Sequence, residues 1–157
     1  MNSFLSSLPI LLPVVVAWVE KQEVILCERG VPLNEAQLAD ARRAGVTTPE
    51  KIRLVRVESL PHPENEDVMF VARRIGFFTP RSAGLTLGYA ICIMHDLWDD
   101  RHLIVHECVH AGQYERMGGA KPFLTIYLRE CIDPGYPFGA LEQEAIIVSA
   151  DICKPPK

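Results

Sequence analysis

The sequence predicts an α+β fold, mostly helical, with a small sheet beside the helix that carries the chemistry. Three observations predict it. A succession of helix start and stop signals marks out about six helices along the chain. Residues 85–93 alternate bulky and small side chains with the period of a strand. The 157 residues are 48% apolar and 23% charged, which suits one globular domain and excludes disorder for most of the chain.

Pro13 opens the first helix, which runs to about Arg29 and stops at Gly30. Asn34-Glu35-Ala36-Gln37 reads as a capping box, and Gly45 ends that second helix. Thr48-Pro49-Glu50 is a helix start or a turn. Ile52, Leu54 and Val55-Arg56-Val57 suit a short strand. Residues 61–65 form a loop, and a helix from Asp67 to Ile75 closes at Gly76. After a turn at residues 80–84, Leu85–Met94 reads as one ten-residue strand region with a bulky face and a small face. Asp99 or Asp100 caps the next helix, which reaches Met117 and stops at Gly118-Gly119. Lys121-Pro122 opens a helix to about Cys131, Asp133–Pro137 is a turn, and the last helix spans Gly139–Ile152 before a fraying tail.

Several classes of function are disfavoured. Asp plus Glu (20) outnumber Lys plus Arg (16), a balance that argues against a nucleic-acid partner. Five cysteines, Cys27, Cys92, Cys108, Cys131 and Cys153, include no C-x-x-C pair, so neither a disulfide framework nor a Cys-rich zinc site is indicated, and a cytoplasmic protein with reduced thiols is expected. Leu8–Val19 is wholly apolar but shorter than the roughly 20 residues of a spanning helix. No basic residue precedes Lys21 and no small-residue cleavage site follows, so a secretory signal is not indicated either. The stretch reads as a buried or interfacial helix rather than as membrane contact through residues 8–19.

His106-Glu107-Cys108-Val109-His110 is an H-E-x-x-H motif on a predicted helix. Residues i and i+4 lie on one helical face about 6 Å apart along the axis, so His106 and His110 can converge on one Zn²⁺. Glu107 projects about 100° round the helix from His106, beside the metal, where a carboxylate can deprotonate the water in an open coordination position. The flanking Leu103, Ile104, Val105, Val109 and Ala111 make the helix apolar on most sides. His102 continues the step of four, but it is about 12 Å from His110 along the axis and cannot easily share the ion, so it reads as a first-turn surface residue. His95 and His62 are weak ligand candidates. The third ligand is expected from Glu142 or Glu144 on the last helix, which point about 200° apart, so that only one can face the metal.

The H-E-x-x-H helix with a downstream Glu on a second helix resembles the gluzincin zinc metallopeptidases, and the whole chain, 1–157, then reads as a single minimal zincin-like domain. In it, residues 1–75 form a helical N-terminal region of unknown role and residues 76–152 the metal-site core. Some gluzincins carry E-x-x-A-D on the second helix, and Glu142-Gln143-Glu144-Ala145 matches its first four positions, which implies Glu142 as the ligand and Glu144 as the runner-up. Ile146 stands where those members have the Asp that steadies a ligand histidine. The stretch from His110-Ala111-Gly112-Gln113 through Tyr127-Leu128 and Gly135-Tyr136-Pro137 to Glu142 is similar to small bacterial metallopeptidase-like proteins.

The resemblance implies zinc as cofactor, a peptide or protein substrate, and hydrolysis by metal-activated water with Glu107 as general base. It also implies that Leu85–Ile93 forms the upper rim of the cleft and pairs with an extended substrate. Tyr136 would hydrogen-bond the tetrahedral oxyanion. Gln113 lies on the His110 side of the helix, within reach of a ligand, whereas Tyr114 and Cys108 suit the core, and Glu115 and Arg116 suit a solvated helix end. The alternative reading is a non-catalytic zinc-binding or interaction module.

Overall fold

The computed structural model of the chain describes residues 3–157. In order they form α1 (Ser3–Arg29), β1 (Val31–Pro32), α2 (Glu35–Arg43), a single helical turn at Pro49–Lys51, β2 (Arg53–Val57), α3 (Glu66–Arg74), β3 (Gly84–Leu87), β4 (Ala90–Met94), a second turn at His95–Leu97, α4 (Arg101–Met117), α5 (Ala120–Glu130), an irregular turn at Cys131–Gly135 and α6 (Ala140–Ile152). The fold is α+β, as expected, with a small mixed sheet in the order β1-β2-β4-β3. β2 and β4 pair parallel, while β1 on β2 and β3 on β4 pair antiparallel.

The local signals explain most of these boundaries. The Asn34 side chain accepts from Gln37 N at 2.8 Å and the Gln37 side chain accepts from Asn34 N at 2.9 Å, so the capping box closes from both ends. Asp100 caps α4 by accepting from Leu103 N, and Gly118, at φ +97°, ends that helix in the left-handed conformation.

The sheet is covered on both sides. Ile52, Leu54, Ile91 and Ile93 pack with Val105, Cys108 and Val109 of α4 and with residues of α2 and α6. Val55, Leu87, Ala90 and Cys92 pack with Val16 and Val19 of α1 and with α5. Cys108 and Tyr114 belong to these cores as expected, and all five cysteines are free.

Three expectations are corrected. Residues 85–93 are not one strand but a hairpin reversing at Gly88-Tyr89, with Leu85 opposite Cys92 and Leu87 opposite Ala90. The reversal places odd-numbered residues of β3 and odd-numbered residues of β4 on opposite faces, so the bulky stripe that looked continuous is split between the two cores. Gly88 makes the turn possible: its φ is +65°, and a Cβ there would meet Glu23 Oε2 at 1.7 Å. That Glu23 oxygen accepts from Tyr89 N at 2.6 Å, which pins the hairpin to α1.

The second correction concerns α1, which starts at Ser3 rather than Pro13, with Pro9 and Pro13 inside it. Both prolines are exposed, so the carbonyls deprived of a donor lie on the open side of the helix, where its backbone can bend. The helix is not buried: only Val16, Val19 and Leu26 are. By length and composition it is also sufficient to cross a membrane.

The third correction is at the end of α4, where Glu115, partly buried, is clamped by hydrogen bonds and not simply solvated. Its carboxylate accepts from Thr47 N at 2.6 Å, Thr47 Oγ1 at 2.7 Å, Thr48 N at 3.2 Å and Tyr89 Oη at 2.7 Å, and also from Thr48 Oγ1. Arg116 stays exposed, as expected, and forms a two-pronged ion pair with Glu144 at 2.7 and 2.8 Å.

Burial pushes the Glu115 carboxyl up, but the hydrogen bonds from Thr48, Thr47 and Tyr89 outweigh it and hold the pKa at about 2, below its ordinary 4.5. A depressed folded value stabilises the fold fully above about pH 4.5 and loses that contribution as pH falls toward 2. Glu115→Gln is therefore expected to lower stability at pH 7 by about 1–2 kcal/mol and to flatten the acid limb of the melting-temperature profile, measured by thermal denaturation from pH 2 to 7.

Candidate metal centre

Two helices build the site. α4 presents His106 and His110 one turn apart, with ring centroids 5.0 Å from each other. α6 brings Glu142 in its first turn, where the positive end of the helix dipole favours a carboxylate. Glu142 Oε1 lies 2.9 Å from His106 Nε2, and Oε2 lies 3.1 Å from His110 Nε2. One ligand atom from each of the three residues falls within 4.8 Å of the others. His110 and Glu142 are buried, and His106 keeps 20% of its side chain exposed.

The partners of the triad fix its chemistry. Gln113 Nε2 donates to the Leu141 carbonyl at 2.8 Å, which commits the other end of the amide, Oε1, to His110 Nδ1 at 2.8 Å. The neutral His110 ring therefore carries its proton on Nδ1, and Nε2 is a bare lone pair facing a carboxylate oxygen. Two acceptors at that distance repel each other unless a cation lies between them. A proton can serve one contact at a time. A divalent ion serves both imidazoles and the carboxylate together, and two imidazole nitrogens with one carboxylate oxygen are a donor set that zinc takes readily. The residues fit the ion.

Ionisation follows the same contacts. Burial pushes the Glu142 carboxyl up, yet hydrogen bonds from the protonated forms of the His106 and His110 rings carry it well below the ordinary carboxylate range. Burial pulls His110 down, and Glu142, with the charge of Glu107, more than restores it.

No protein family, curated protein or solved structure matches the chain.

Of the two acidic candidates on α6, Glu142 joins the histidines, while Glu144 turns away to Arg116. His102 is exposed on the first turn of α4, with its Nε2 3.3 Å from Ser149 Oγ. His95 lies 3.2 Å from Glu58, and the His62 ring meets the Pro63 carbonyl, so neither joins the group. Ile146 is 39% exposed, and the side chain that orients His110 is the Gln113 amide.

Two contributors escaped the sequence reading. Tyr127 Oη donates to Glu142 Oε2 at 2.7 Å, burying a phenol against the ligand carboxylate. Thr86 Oγ1 donates to Glu107 Oε2 and reaches the Glu107 carbonyl at 3.1 Å. No local pattern marks either residue, because each meets its partner only through tertiary packing.

Glu107 stands outside the triad, against β3. A Cβ on Gly84 would lie 3.0 Å from Glu107 Oε1 and 3.1 Å from its Cγ, so glycine lets the strand backbone approach this carboxylate closely. His106, Glu107, His110, Glu142 and Tyr136 all line one cavity of about 410 Å³. Tyr136 is 47% exposed and packs beside Phe77, and burial, with the charges of Glu142 and Glu107, pushes its phenol up to about 12.

Gln113→Leu is expected to weaken zinc binding about 10- to 100-fold, measured by competition with a chromophoric chelator. In the same assay Glu142→Gln is expected to lose the metal and Glu144→Gln to keep it, which separates ligand from neighbour.

Proposed function

We propose that the protein is a zinc-dependent hydrolase of peptide bonds. The observation that carries this reading is the position of Glu107: a carboxylate outside a three-residue ligand group, sharing a cavity with it. A structural zinc site is closed by four protein ligands, whereas among the described residues this group ends at three and borders open space. His106, His110 and Glu142 would hold the ion, which when bound supplies Lewis acidity toward a carbonyl and toward water.

The chain's own groups supply the rest. Glu107, held at Oε2 by Thr86, takes a proton from the attacking water and returns it to the nitrogen of the leaving amine. Tyr136, protonated at neutral pH, donates to the developing oxyanion from the cavity wall. β3 is the edge strand of the sheet beside α4, and Gly84 and Leu85 line the cavity, so an extended peptide can lie along it and pair with its backbone. The Thr86 carbonyl is already occupied, accepting from Tyr114 Oη at 3.3 Å.

The test is zinc content and turnover of the full chain, purified without added metal and assayed on a mixture of internally quenched peptides. One zinc per chain and measurable cleavage are expected. Glu107→Gln should keep the zinc and lose about 10²- to 10⁴-fold in rate. Zinc bound by an inert wild-type protein would instead identify a non-catalytic metal module, and cleavage undiminished in Glu107→Gln would remove the base assignment.

A further inference from the structure

Away from the triad, the cavity runs between α1, α3 and the loop that follows α3. Its far walls are apolar: Leu8, Leu11 and Val15 from α1, Val68 and Val71 from α3, and Ile75 and Phe77 just after it. Apart from Glu107 and Glu142, Arg81 is the only Asp, Glu, Lys or Arg among the described lining residues. On α1, Phe4, Leu8, Leu11, Val15 and Trp18 all face this space, at steps of four, three, four and three residues that keep them on one helical face. These five are partly buried, so the helix carries an apolar stripe that keeps some of its surface open to the cavity.

We infer that this stripe is the wall of a substrate groove, and that the substrate carries a bulky, uncharged apolar segment beside the bond to be cut. The inference rests on the hydrolase reading and names its substrate class. The chemistry of the wall selects it. A charged side chain placed against this wall would be stripped of water with no partner but the exposed Arg81, whereas an apolar one gains by covering Leu8, Leu11 and Phe77. The volume, about 410 Å³, accommodates more than one side chain. The groove is continuous with His106 and Glu107, so a segment lying in it leads directly to the site of chemistry. Ile10 and Val14, exposed on α1, do not line this space, and the groove does not use them.

The experiment uses the full chain as the zinc-loaded Glu107→Gln variant, which binds without turnover. Two blocked, fluorophore-tagged pentapeptides serve as probes, Gly-Phe-Leu-Phe-Gly and Gly-Asp-Ser-Asp-Gly, read by fluorescence anisotropy. The apolar peptide is expected to bind at least about tenfold more tightly. Adding Leu11→Glu should erase that difference while zinc content stays the same, and Leu8→Glu on the same stripe gives the same reading if Leu11→Glu does not fold. Ile10→Glu should leave both affinities in place. Equal binding of the two peptides, or a preference that survives both groove variants, overturns the inference. So does a preference lost in Ile10→Glu, which would mean that α1 presents its apolar surface to an outside partner such as a lipid surface. Tight binding of the apolar peptide by a wild type that never cleaves it keeps the groove and removes the hydrolase. Cleavage with no apolar preference does the reverse.

Discussion

The Glu142 carboxylate, set between the Nε2 atoms of His106 and His110, is the interaction on which the rest of the structure depends. Each of these groups alone would be costly to bury in the seam between α4 and α6, and they are tolerated there only as a set. Everything around them serves to keep the set together. Gln113 ties His110 to the backbone of Leu141, the residue beside Glu142, so the same amide orients a ligand and registers the two helices. Tyr127 adds a third element by donating from α5 to the same carboxylate. Leu141 N in turn donates to Glu130 Oε2 at 2.9 Å, which ties the first turn of α6 to the end of α5. Packing and chemistry are here one network, so loss of one member leaves a buried polar group without its partner as well as a defective site.

The sheet does a different job. With both faces covered, β2 and β4 form a rigid centre, and β3 at the edge is held at a fixed distance from α4. That distance is short, because Gly84 adds no side chain against Glu107 and Thr86 fastens the carboxylate. A strand edge and an unliganded carboxylate are thus positioned by one four-residue segment. Its register is locked by the Gly88-Tyr89 turn, and that turn by Glu23 of α1. The N-terminal helix therefore reaches the site twice, once through the hairpin and once as a wall of the cavity.

How legible this was in the sequence depends on the range of the interaction concerned. The capping box at Asn34, the stops at Gly45 and Gly118, and the convergence of His106 with His110 are set within one or two helical turns, and each could be read from spacing. The choice between Glu142 and Glu144 could not be made from helical geometry. It turns on how α6 rotates against α4, which is decided by Arg116 capturing Glu144 and by the burial of Leu141 and Ala145. The 85–93 hairpin was missed because alternation persists through a two-residue reversal, and only Gly88 signalled the break. Tyr127, Thr86 and the clamp on Glu115 are long-range contacts with no periodic signature.

That the Nδ1 partner of His110 is an amide and not a carboxylate has an electrostatic consequence. With zinc bound, the site would hold two positive charges against two nearby carboxylates, Glu142 on the ion and Glu107 beside it, so the buried cluster is close to neutral. A third carboxylate at position 146, reaching a ligand histidine, would leave that cluster negative in a region of low dielectric. It would also make the imidazole more electron-rich and the ion a weaker acid toward water. Gln113 fixes the same ring orientation and tautomer without adding charge. With Ile146 uncharged, the orienting of His110 is done by a neutral group, and no further negative charge is added to the buried cluster beside Glu107.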